Sequence, residues 1–140
     1  MKVFIDANVL LAVLLKEYPV YPHASRVLSL TESHQFSIYT SPLCLAIAFY
    51  FIEKKHGAAW AVKIISKVAD SLQITTCGPD ETAMASANKK ILDFEDGLQY
   101  YSAVGAGCSC IVTEDTGDYH FAETAVCTSK TFMEQYAFRR

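Results

Sequence analysis

The sequence has no Cys-x-x-Cys pair, no His-rich tract, no basic run longer than three residues and no apolar run reaching the ~18 residues a membrane span needs. Each absence removes a class of protein. The five cysteines, Cys44, Cys77, Cys108, Cys110 and Cys127, are odd in number and lack metal-ligand spacing, so reduced thiols in a reducing compartment are expected. The start, Met1-Lys2-Val3-Phe4-Ile5-Asp6, reaches a carboxylate too early for a secretory apolar region, so a cytoplasmic protein with no membrane partner is expected. Glycine and proline are scarce, 6 and 4, while 51% of residues are hydrophobic and only 19% charged; this excludes a disordered chain. Nor is there an excess of positive charge. Twelve Lys plus Arg face 15 Asp plus Glu, a net charge of -3, which excludes tight binding of nucleic acid through a basic surface. The nearest approaches to a basic patch are Lys54-Lys55-His56, Lys89-Lys90 and Arg139-Arg140, each short enough to be a solvated face or tail.

What is present is enough for one folded unit. The 140 residues match a single domain over 1–140, with no internal repeat or linker. The β-branched and aromatic run 3–5 predicts a strand, then a tight turn with Asn8 as N-cap and a helix over 9–15. Helical spacing resumes over 24–33, and residues 35–40 alternate as a strand does. Ser41-Pro42 is a helix start, and 43–52 is apolar nearly all round, which predicts a central helix ended by Gly57. Further helices are expected over 58–69, 79–90 and 94–104, and strands over 72–76, 108–112 and 125–127, before a last helix from 129 or 130 onward. Alternating strands and helices predict an α/β fold, a three-layer α/β/α arrangement with a mainly parallel central sheet of four to five strands.

In open α/β sheets, ligand sites lie beyond the carboxyl ends of the strands. The residues that end strands here are acidic. Asp6 ends the first strand, Thr113-Glu114-Asp115-Thr116-Gly117-Asp118 follows the fourth, and Asp93-Phe94-Glu95-Asp96 opens the helix leading into that strand. Carboxylates packed together repel and raise one another's pKa, and a hard divalent cation resolves the conflict. Each acid also has an ordinary explanation: Asp6 as a cap, Asp93, Glu95 and Asp96 as helix-start acids, Asp115 and Asp118 as turn residues beside Gly117. Their joint position favours a site. His120 could face it, although a solvated loop histidine is the plainer expectation, and Tyr119 and Tyr100 are candidates for stacking on bases.

The motifs Val3-Phe4-Ile5-Asp6-Ala7-Asn8-Val9-Leu10, Asp93-Phe94-Glu95-Asp96-Gly97-Leu98-Gln99-Tyr100 and Ile111-Val112-Thr113-Glu114-Asp115-Thr116-Gly117-Asp118-Tyr119 together resemble the PIN domain family, in its VapC-like single-domain form. The resemblance implies a ribonuclease dependent on Mg²⁺ or Mn²⁺, acting on RNA as a hydrolase that leaves a 5′-phosphate and a 3′-hydroxyl. It implies Asp6, Asp96, Asp115 and Asp118 as catalytic metal ligands, with Asn8, Thr113, Asp93 and Glu95 in support. It also implies a homodimer, and a co-encoded antitoxin in a toxin-antitoxin pair, seated partly on the apolar residues of 9–15 and 24–30. The chain departs from the family in one place. Where the helix after the second strand usually carries a Glu, this sequence has Ile47 or a neighbour, and Glu53 is two helical turns too late, ~9 Å along the axis. Two other readings are a PIN-like binding module with little nuclease activity and an acid-at-strand-end phosphotransfer domain. Asp6-Ala7-Asn8 lacks the acidic pair of a receiver and the Asp-x-Asp of a dehalogenase, so the last fits poorly.

Overall fold

The computed structural model describes residues 1–138; Arg139 and Arg140, the last of the short basic runs, lie outside the described residues. Five strands, β1 (Lys2–Ile5), β2 (Ser37–Thr40), β3 (Gln73–Ile74), β4 (Cys110–Val112) and β5 (Ala125–Cys127), form one sheet in the order β3-β2-β1-β4-β5. Every pairing is parallel. The helices are α1 (Ala7–Leu14), α2 (Tyr21–Ser29), α3 (Pro42–His56), α4 (Ala58–Ser71), α5 (Pro79–Ala87), α6 (Phe94–Gly105) and α7 (Ser129–Phe132), the last continued by a π-helical turn over Met133–Ala137. Val3, Phe4 and Ile5 of β1 are fully buried, as are Cys110, Ile111 and Val112 of β4. Successive strand residues point to opposite faces, so burial of all six means that helices cover both sides of the sheet. This is the three-layer architecture expected from the sequence.

The strand order is what builds a site. From β1 the chain moves outward through β2 to β3, then crosses to β4 on the other side of β1 and ends at β5. The reversal therefore falls between β1 and β4, the place where open α/β sheets leave a crevice at their carboxyl ends. Ile5 is in register with Val112, and the backbone N–H of Asp6 donates to the Val112 carbonyl at 3.0 Å, so Asp6 and Thr113 leave the sheet side by side.

Several local expectations are corrected. Helix α1 starts at Ala7, not after Asn8, because Asp6 in extended conformation caps it, its Oδ1 accepting the Ala7 N–H at 2.7 Å. Helix α2 begins at Tyr21, since Pro22 suits a first turn where no N–H is required, and it stops at Ser29 before a short 3-10 turn. Strands β2, β3 and β4 and helix α5 are shorter than their sequence patterns suggested. Helix α3 has the expected start, the Ser41 hydroxyl accepting the Cys44 N–H at 3.0 Å, and ends at Gly57, whose φ of 89° is a left-handed-side conformation that residues with a Cβ resist. It is not central, however. Only Cys44, Ala48 and Ile52 are buried, while Tyr50 and Phe51 face solvent, 51% and 46% exposed. In the two segments expected to meet a partner, Val9, Leu10, Leu11, Ala12, Ala24 and Val27 are buried, while Val13, Leu14, Leu15, Leu28 and Leu30 are half-buried and keep some apolar surface in solvent.

Candidate active site

Asp6 stands at the carboxyl end of β1, largely buried, with four donors on its carboxylate. Oδ1 receives the Ala7 amide at 2.7 Å and the Cys44 thiol at 3.8 Å; Oδ2 receives the Thr113 hydroxyl at 3.0 Å and the Tyr119 hydroxyl at 3.1 Å. Burial raises its pKa above the ordinary carboxylate value, and these hydrogen bonds oppose the shift. The charge is felt by its neighbours. Burial and then the Asp6 charge push the Cys44 thiol up to about 12, and the same two causes hold the Tyr119 phenol far above its usual range, so both remain donors.

Thr113, fully buried at the end of β4, uses its whole hydrogen-bonding capacity. It donates to Asp6 and accepts the Asn8 side-chain amide at 3.0 Å and the Asp115 backbone N–H at 3.2 Å. Asn8 also donates to Asp115 Oδ2 at 3.2 Å and accepts the Glu114 N–H at 3.1 Å. One turn of α1 thus holds the loop after β4 in place. Glu114 faces away, its Oε2 accepting the amide and hydroxyl of Ser129 at 3.0 and 2.7 Å, which ties this loop to α7.

The three acids before and in α6 divide their work. Asp93 is the N-cap, its Oδ1 accepting the Glu95 and Asp96 amides at 2.9 and 3.3 Å. That aims the next two residues inward. Glu95 and Asp96 line a cleft of about 200 Å³ together with Asp6, Ala7, Asn8, Leu11, Ile47, Phe51, Asp115 and Asp118, whereas Asp93 stays outside the lining. Burial, followed by the charges of Asp93, Asp118, Asp6 and Glu95, pushes Asp96 up to about 7; burial, then Asp93 and Asp6, raises Glu95. A larger polar cleft of about 360 Å³ lies between the end of β3 and helices α5 and α6, away from the strand reversal.

Five carboxylates share one cleft that, among the described residues, contains no Lys, Arg or His. Among the described residues no three acidic, Cys or His side chains are close enough to grip an ion by themselves. Mg²⁺ does not require such a cage, since it keeps several waters and takes only one or two carboxylates. The donor set, all hard oxygen and open to solvent, fits that habit. The wall on α3 is apolar: Ile47 lines the cleft with Phe51 one turn later, and Glu53 is exposed and outside the lining.

Residues beyond the sequence-derived set also act here. Cys44 and Tyr119 reach Asp6 through the fold, Cys44 from α3 and Tyr119 from the turn after β4; only the position of Tyr119 next to Asp118 hinted at it. Tyr119 and Tyr100 are 3% and 7% exposed, so neither can stack on a base; Tyr100 instead accepts the Glu123 N–H at 3.1 Å. The His120 ring pairs with the Lys90 carbonyl at 3.0 Å and is not in the cleft lining.

Residues 2–117 match the PIN domain. Ribonuclease VapC1 of Aquifex aeolicus (strain VF5) is 26% identical over 139 residues, covering 96% of this chain and 95% of that protein. Among solved structures, VapBC-1 from nontypeable Haemophilus influenzae superposes with a TM-score of 0.71 at 12% identity, covering 93% of this chain and 99% of its own. The DNA-bound VapBC from Salmonella typhimurium gives 0.69 at 14% identity, with 92% and 98% covered. VapC20 of Mycobacterium tuberculosis, a Sarcin-Ricin loop cleaving toxin, gives 0.62 at 13% identity, with 78% and 86% covered.

Proposed function

The chain belongs to the PIN domain family, and from that premise we propose that it is a divalent-metal-dependent endoribonuclease in which Asp6, Asp96, Asp115 and Asp118 hold Mg²⁺ or Mn²⁺. The observation that carries this reading is the shared cleft: acids from the end of β1, α6 and the loop after β4 meet where the strand order reverses, with no cationic side chain among the described residues of the lining. A divalent ion bound there supplies Lewis acidity to an RNA phosphate and lowers the pKa of an attacking water. The chain's own residues provide the geometry. Thr113, Tyr119 and the Ala7 amide orient the Asp6 carboxylate, Asn8 orients Asp115, and Asp93 caps the helix turn from which Glu95 and Asp96 enter the cleft.

The resemblance to VapC1 and to the VapBC structures extends the proposal to a toxin with a co-expressed antitoxin as its partner. The apolar α3 wall supports a second reading, a binding module with little catalysis. One assay separates the two. Purified protein is incubated with RNA in Mg²⁺ or Mn²⁺, with EDTA, and as Asp6→Asn. Metal-dependent cleavage that drops to background in EDTA and in the variant is expected. Cleavage surviving Asp6→Asn would belong to another site or a contaminant, and no cleavage with either metal would favour the binding module.

A further inference from the structure

The candidate cleft has a chemically mixed lining. Asp6, Glu95, Asp96, Asp115 and Asp118 are acidic and come from the end of β1, from α6 and from the loop after β4, whereas Ile47 and Phe51 are apolar and come from α3. Phe51 is the one aromatic residue of its lining among the described residues and is 46% exposed, although a phenylalanine on a 15-residue helix with buried positions available would ordinarily turn inward. Ile47 and Phe51 are four residues apart and so share one face of α3. The ring lies edge-on to that of the neighbouring Tyr50 at 5.2 Å with planes at 81°, and Lys54 lies over Tyr50 at 4.8 Å.

A nucleotide is divided in the same way, an anionic phosphate at one end and a flat apolar base at the other. Among the described residues the lining has no Lys or Arg for a phosphate, and the aromatic face of Phe51 can gain binding energy from any base. We propose that Phe51 stacks on the base next to the scissile phosphate and is the residue that holds the nucleotide beside the cut. A base within a duplex is already stacked on both sides and cannot offer its face. The inference rests on the nuclease reading above but goes beyond it, since it names the residue that takes the base and not only those that hold the ion.

The test compares wild type with Phe51→Leu and Phe51→Trp on RNA carrying the same sequence unpaired or in a fully paired duplex. Stacking on one aromatic is expected to set KM, so Phe51→Leu, similar in size but without a π-face, should raise KM about ten- to hundred-fold with kcat little changed. Phe51→Trp should restore it. An abasic nucleotide beside the cut should cost wild type the same factor and cost Phe51→Leu nothing further. Quenching of a 2-aminopurine placed there reads binding directly and should be lost in Phe51→Leu, whether or not cleavage follows. The proposal is overturned if Phe51→Leu keeps the wild-type KM and quenching, if duplex is cut as readily as unpaired RNA, or if the substitution instead changes the oligomeric state in light scattering. Failure of wild type to cleave any RNA would count against the nuclease reading alone, because the quenching result still decides the role of Phe51.

Discussion

Asp96 sits in the first turn of α6, where backbone amides favour negative charge, yet its carboxyl is pushed up to about 7. Burial and four neighbouring acids outweigh the helix end. Since the folded chain keeps a proton at Asp96 to about pH 7 and the unfolded chain releases it near 3.8, folding binds protons over that interval. The associated stability is full below the unfolded value and is lost as pH rises through the folded one. The metal-free protein should therefore show a falling Tm between about pH 4 and pH 7. A cation that prefers the ionised form reverses the trend, so Mg²⁺ or Mn²⁺ should raise Tm clearly at pH 8 and little at pH 5. Thermal melts at both pH values with and without EDTA check this, and an equal metal effect at the two would detach Asp96 from the ion.

At the scale of elements, the sharp passage from α3 to α4 depends on Gly57, whose φ of 89° and ψ of 161° lie in a region nearly closed to other residues. A Cβ there would meet no atom within 4 Å, so the penalty is backbone strain and not a clash. Gly57→Ala should lower unfolding stability by about 1–3 kcal/mol in urea titration, leaving metal affinity unchanged because the glycine is remote from the cleft. A stability equal to wild type would mean that the turn relaxes. Helix α3 also shows why an apolar sequence run overstates burial: 43–52 reads as apolar on every side, but α3, packed against α1 and α4, buries one stripe and leaves Tyr50 and Phe51 outside.

For the whole molecule, a net charge of -3 and an acidic cleft oppose the usual electrostatic attraction to RNA. Binding through an ion and a stacked base releases few counterions. The logarithm of kcat/KM against that of monovalent salt should then have a slope of magnitude below about 2, where a protein making 6–10 phosphate contacts loses about 10³–10⁵ in affinity between 50 and 200 mM. A steep slope measured at constant Mg²⁺ would require a basic surface elsewhere on the chain.

Local chemistry was legible before the fold was known. Short β-branched runs, Ser41-Pro42 and Gly57 mark elements whose forces act between near neighbours, and the acids at strand ends stand out because strands must stop before a charge can reach water. One-dimensional pattern was also enough for the α/β class and the parallel sheet. What it could not encode was distance between residues far apart in the chain. Register between β1 and β4 puts Thr113 against Asp6, 107 positions away, and brings Tyr119 and Cys44 onto the same carboxylate. Whether Asp93 faces the cleft or caps a helix, and whether Phe51 is core or wall, depends on how α6 and α3 are rotated against the sheet. That rotation is decided by packing of the whole core, because burying one stripe of a helix fixes where all its other side chains must point.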